Sequence, residues 1–200
     1  MSPAQRTEVH EWMDQSTAVF LDAVERLEDD DFSRPSALAG WSIGAIVAHV
    51  HFNAEAIRRL LHWAHTGIET PMYASREDRN AEIEAGSQKP PTVLRALVLQ
   101  SARDLSADAT QLTEHEWATT VVTAMGRSVP ASETLWMRTR EVAVHAVDLD
   151  VGLTFNDIPA GATLRLATEI VASRHAAGEG PALVGWLTGR TDAPALRSWL

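Results

Sequence analysis

Apolar positions recur along most of the chain at helical spacing, and each run is closed by a recognisable stop. The first run opens at Ser2 with Pro3 in the first turn and reaches about Leu27, with Trp12, Val19, Phe20, Ala23 and Leu27 on one face. The acidic stretch Glu28 to Asp31 closes it. Gly40-Trp41-Ser42 reads as a turn whose serine caps a second helix running to Thr66, where Gly67 suits the C-terminal stop. Ser75 and Asp78 read as a capping pair for a short helix ending near Gly86. Pro90 and Pro91 open a third long helix through Leu94, Leu97, Val98, Ala102 and Leu105 to about Leu112. Trp117 to Thr123 is β-branched and is followed by Met125-Gly126-Arg127, a pattern for a short hairpin. Ser132 caps a fourth long helix to about Val151. Beyond it, glycines and prolines break the chain into short pieces, with one helix near Gly161 to Ala176. The pattern predicts a mainly α fold: an antiparallel four-helix bundle over residues 1–155 and a short mixed C-terminal appendage over 156–200.

Composition narrows the function. Of 200 residues, 45% are hydrophobic and 22% charged, the balance of a soluble globular protein. Net charge is −10, from 17 Lys and Arg against 27 Asp and Glu, and Lys89 is the single lysine. Binding to nucleic acid or to an anionic membrane surface needs clustered cations, and none are present. No apolar run approaches the roughly 18 residues of a membrane helix, and no apolar leader follows Met1. A cytoplasmic location is expected. With no cysteine in the chain, disulfides, cysteine-ligated zinc and a protein thiol nucleophile are excluded. Thiol chemistry here would require a thiol from outside.

A metal site without cysteine uses histidine and carboxylate ligands, and a catalytic one takes three and leaves a position open. Glu141 and His145 stand four apart on the fourth helix and so project from one face. His49 lies mid-way along the second helix. Such a pair arises readily by chance among eight histidines, so its surroundings carry the weight. Val142, Ala143, Val144, Ala146 and Val147 surround the pair, and Ile46, Val47, Ala48 and Val50 surround His49. Ionisable groups in such settings need partners. Two readings compete: a metal centre, or a buried Glu–His pair that satisfies itself. Asp148 is placed either to orient His145 or on the helix surface. His51 points to a different helix face, and the remaining histidines read as surface groups. Of Arg138 and Arg140, at least one is expected on a solvated face or in an ion pair. The tryptophans Trp12, Trp41, Trp63, Trp117 and Trp136 read as core.

Around these ligands the strings GWSIGAIVAHVHFNAEAI from Gly40, HWAHTGIETPMYAS from His62, RNAEIEAGS from Arg79, GRSVPASETLWMRTREVAVHAVDL from Gly126 and FNDIP from Phe155 resemble the mycothiol-dependent maleylpyruvate isomerase branch of the DinB-like metal-binding four-helix bundles. The resemblance implies that His49, Glu141 and His145 bind zinc (a divalent metal), with the fourth position left to water or a thiol. It implies that Arg79 and Arg190 hold the carboxylates of a small-molecule dicarboxylate substrate. It also implies mycothiol as the low-molecular-weight thiol, adding to the cis double bond of maleylpyruvate and leaving after rotation to give fumarylpyruvate. The other functions compatible with these residues are a mycothiol S-transferase acting on electrophiles and a non-enzymatic zinc-binding bundle. The family pattern carries strands between the helix after FNDIP and its final segment. Here AGEGPALVGWLTGR follows almost directly, so the resemblance at Arg190 rests on LVGWLTGR alone.

Overall fold

The computed structural model describes residues 1–196. In chain order it forms α1 (Pro3–Arg26), α2 (Ile43–Thr66), α3 (Arg76–Ser87), α4 (Pro91–Gln111), the single turn α5 (Glu114–Trp117), β1 (Thr120–Val122), β2 (Ser128–Pro130), α6 (Glu133–Asp148), α7 (Ala160–Ala176) and α8 (Gly180–Leu187), with 3-10 turns at Asp29–Ser33 and Phe155–Asp157. These residues fall into two compact units, the first Met1–Pro159 and the second starting at Ala160.

In the first unit α1, α2, α4 and α6 make a four-helix bundle in which α1 packs on α6 and α4, and α2 packs on α4 and α6. The helix starts follow local chemistry. Ser2 and Gln5 form a reciprocal capping box at α1, and the Ser42 hydroxyl accepts from the Ala45 amide at α2. Gly67 ends α2 with φ 74°, a left-handed conformation that a side chain would strain. The apolar stripe of α1 is Val9, Met13, Phe20, Ala23 and Val24, with Ser16 buried among them. Trp12 and Val19, expected on the core face, sit at its half-exposed edge. The fully enclosed side chains include Phe20, Ile43, Ile46, Leu60, Leu94, Leu105, Leu135 and Leu149. Each such residue contributes about 1.5–3 kcal/mol relative to exposure.

Three local expectations are corrected. Trp117 closes the α5 turn instead of starting a strand, because the Thr113 hydroxyl and Glu116 carboxylate cap that turn reciprocally. The hairpin pairs only Thr120–Val122 with Ser128–Pro130, with Val121 opposite Val129. Ser132 is itself helical and makes no side-chain cap, and α6 ends at Asp148, before the left-handed Asp150. The second unit contains α7 and α8. No helix among the described residues is long and apolar enough to cross a membrane.

Candidate metal centre

His49 comes from α2, and Glu141 and His145 come from α6. Both helices bury these positions against each other: His49 is 4% exposed and His145 3%. Glu141 Oε2 lies 2.8 Å from His49 Nε2 and 3.5 Å from His145 Nε2. The two imidazoles stand almost perpendicular, with ring centroids 4.8 Å apart. One ligand atom from each residue lies within 4.8 Å of the others. The outer nitrogen of His145 is held by Asp148, Nδ1 to Oδ2 at 2.8 Å, which leaves Nε2 facing the cluster. Trp41 presents its ring edge-on to His49 at 5.5 Å. That ring is placed by the loop before α2, whose Ala37 amide donates to the Asp148 carbonyl at 2.9 Å.

The electrostatics follow from burial and pairing. Desolvation lowers the His49 pKa, and the Glu141 hydrogen bond only partly opposes it. Burial also acts to lower His145, but its hydrogen bonds to Asp148 and Glu141 outweigh this and raise it to about 9. Burial would raise Glu141, yet hydrogen bonds from His145 and His49 hold it well below the usual carboxylate range. The cluster therefore carries an imidazolium, a neutral imidazole and a carboxylate at neutral pH. Two imidazole nitrogens and a carboxylate oxygen, converging between α2 and α6 with one histidine already oriented by a carboxylate, suit a divalent metal ion.

Arg79 reaches this cluster from α3. Its Nη2 is 3.5 Å from His49 Nδ1, and its guanidinium lies over the Tyr73 ring at 6.0 Å. The approach depends on Gly86, where α3 meets α2: a Cβ there would stand 2.7 Å from Phe52 Cε2 and 3.0 Å from the Ala48 Cβ. Four of the five expected site residues thus gather in the first unit. Arg190 belongs to the second, exposed in the turn after α8, where its guanidinium donates to the Thr188 carbonyl. His51 is half-buried with its ring against Phe52.

Two further residues adjoin the cluster. Tyr73 is the only tyrosine in the chain; burial raises its pKa, and Arg79 and Glu141 are among the groups acting on it. Arg138 is 1% exposed, so of the pair Arg138 and Arg140 it is the one turned inward. Its spacing carried the signal: positions 138, 141 and 145 lie on one face of a helix.

Known proteins bear on this arrangement. The sequence profile of the Mycothiol maleylpyruvate isomerase N-terminal domain family matches residues 13–150. The crystal structure of a mycothiol-dependent maleylpyruvate isomerase superimposes with TM-score 0.81 at 43% identity, covering 83% of this chain and 69% of that one. A histidine-to-alanine mutant of the mycothiol-dependent maleylpyruvate isomerase gives the same values. YfiT from Bacillus subtilis, described as "a probable metal-dependent hydrolase with an unusual four-helix bundle topology", matches with TM-score 0.58 at 18% identity over 75% of this chain and 88% of its own, and shares the fold. No curated protein matches significantly. With its profile spanning most of the bundle and its structural relative closely similar, the chain belongs to the mycothiol maleylpyruvate isomerase family of DinB-like helical-bundle enzymes.

Proposed function

We propose that this protein is a mycothiol-dependent cis–trans isomerase acting on maleylpyruvate or a similar cis-enedioate, with zinc held by His49, Glu141 and His145. The observation that carries the reading is the buried His–Glu–His cluster with Arg79 beside His49. Zinc, when bound, supplies positive charge that keeps an incoming thiol ionised near neutral pH. The chain has no cysteine, so the thiol is an exogenous one.

The residues divide the remaining work. Asp148 holds the His145 ring with Nε2 inward. Trp41 covers His49 on one side and restricts water there. Arg79 offers a forked cation to a substrate carboxylate next to the ligands. The thiol sulfur forms a bond to one carbon of the cis double bond, and the π pair moves onto the conjugated carbonyl oxygen as an enolate. Cationic groups stabilise that charge. The former double bond rotates, the electron pair returns, and the carbon–sulfur bond breaks to give fumarylpyruvate and free thiol. Arg190 is assigned the second carboxylate on the family resemblance. The bundle over 1–155 is assigned the metal centre, and a cytoplasmic setting accompanies the use of a reduced thiol.

The test is an ultraviolet assay of maleylpyruvate isomerisation by metal-quantified protein, with and without catalytic mycothiol. Turnover that needs both zinc and thiol, with Arg79→Ala raising KM about tenfold or more, is expected. Stoichiometric zinc with thiol consumed into an adduct moves the function to S-transfer. Stoichiometric zinc with no thiol-dependent turnover leaves a metal-binding bundle.

A further inference from the structure

Arg138 is charged, enclosed and incompletely used. Its Nη1 donates to the Val50 carbonyl at 2.7 Å and to Asn53 Oδ1 at 2.9 Å, both neutral acceptors on α2. Its Nε and Nη2 are buried with no acceptor. No carboxylate pairs with it among the described residues. A buried cation without a counter-ion is costly, and an idle buried donor adds to that. Burial lowers its pKa only to about 10, so it stays charged at neutral pH, with Glu141 and Tyr73 pulling the other way.

Its place in the bundle suggests what compensates. Arg138 is three residues before Glu141 and seven before His145, on the same face of α6, about one helical turn from the first and two from the second. On α2, Asn53 is likewise one turn from His49. The guanidinium therefore forms the layer next to the metal centre. With a divalent ion in place, the carboxylates of Glu141 and Asp148 balance the ion, Glu82 beside Tyr73 offsets one of the two guanidinium charges of Arg79 and Arg138, and one positive charge remains.

We infer that Arg138 is a positioning residue that acts through its charge, keeping the loaded centre net positive so that it retains anions, namely a thiolate and a carboxylated substrate, while loosening its grip on the metal. This rests on the metal-site reading above. A clamp between α2 and α6 is the purely structural alternative, and the two roles predict opposite shifts in metal affinity. Removing a nearby positive charge tightens binding of a divalent cation and weakens binding of an anion. Removing a clamp loosens the metal and leaves anion binding to follow it.

The experiment uses the cobalt(II)-substituted protein, with metal affinity read by chelator competition and anion binding read from the visible spectrum during titration with thiocyanate. Arg138 is replaced by Met and, separately, by Gln, so that one neutral variant failing to fold does not remove the test. Arg138→Lys keeps the charge without the fork. Expected is about a tenfold weaker thiocyanate affinity in the neutral variants, metal affinity equal to or tighter than wild type, and near wild-type values for Lys. Weaker metal binding in the neutral variants overturns the inference whatever the thiocyanate affinity, as does a lysine variant no better than the neutral ones. Failure of the wild-type protein to take up one cobalt ion is a distinct result. It defeats the metal-site reading before any variant is made, and the inference with it.

Discussion

Loading the metal-free protein with zinc should expel a proton. His145 has a pKa of about 9, so its imidazole is protonated at pH 7. The ion needs the lone pair on Nε2, because Nδ1 is engaged by Asp148. His49 releases nothing on balance: its pKa is lowered, so its ring is already neutral and only shifts its proton from Nε2 to Nδ1. Glu141 is already ionised. About one proton should therefore leave per zinc ion. Two pH units between pH 7 and the His145 pKa correspond to about 3 kcal/mol, or about a hundredfold in apparent affinity. Binding should tighten about tenfold per pH unit below about pH 9 and level off above it, since a raised pKa in the metal-free state opposes the ion only while the proton is bound. Calorimetric titration in buffers of different ionisation enthalpy counts the proton directly. Release close to zero, or an affinity flat between pH 6 and 8, would refute the electrostatic account of the cluster.

Two substitutions test the supports of the site. Asp148→Asn removes the anion that orients and charges His145, and should lower zinc affinity about 10- to 100-fold and reduce the proton count, read by chelator competition and calorimetry. Gly86→Ala drives a Cβ into Phe52 and Ala48; overpacking of about 1–3 kcal/mol, less the roughly 1 kcal/mol that alanine gains in a helix, leaves a net loss of about 0–2 kcal/mol. A lowered Tm with a raised substrate KM, as α3 moves Arg79, is the expected outcome.

The bundle was readable because its helix ends are written in short-range chemistry. Ser2, Ser42, Gly67, Ser75 and the Pro90-Pro91 pair mark boundaries that the structure places within a residue or two. The Glu141–His145 spacing, set in apolar surroundings, pointed to the cluster, and the choice of His49 as the third member came from its equally apolar neighbours. What stayed hidden depends on partners distant in sequence. Trp12 and Val19 fit a helical stripe, but the buried face of α1 is centred a position away, on Met13, Ser16 and Phe20. Arg138 was not distinguished from Arg140 because the acceptors that admit it to the interior, the Val50 carbonyl and Asn53, lie 88 and 85 residues earlier. Tyr73 sits in a connector, where no periodicity describes a side chain's surroundings.

The separation of His49 from Glu141 by 92 residues has a consequence for how the protein is made. At a synthesis rate of about 5–20 residues per second, α2 leaves the ribosome roughly 5–20 seconds ahead of α6. Throughout that interval the nascent chain presents His49 and neither of the α6 residues, so two of the three donors of the cluster are missing. Metal uptake at the proposed centre would thus wait for the finished bundle, and would draw on completed molecules instead of chains still being synthesised.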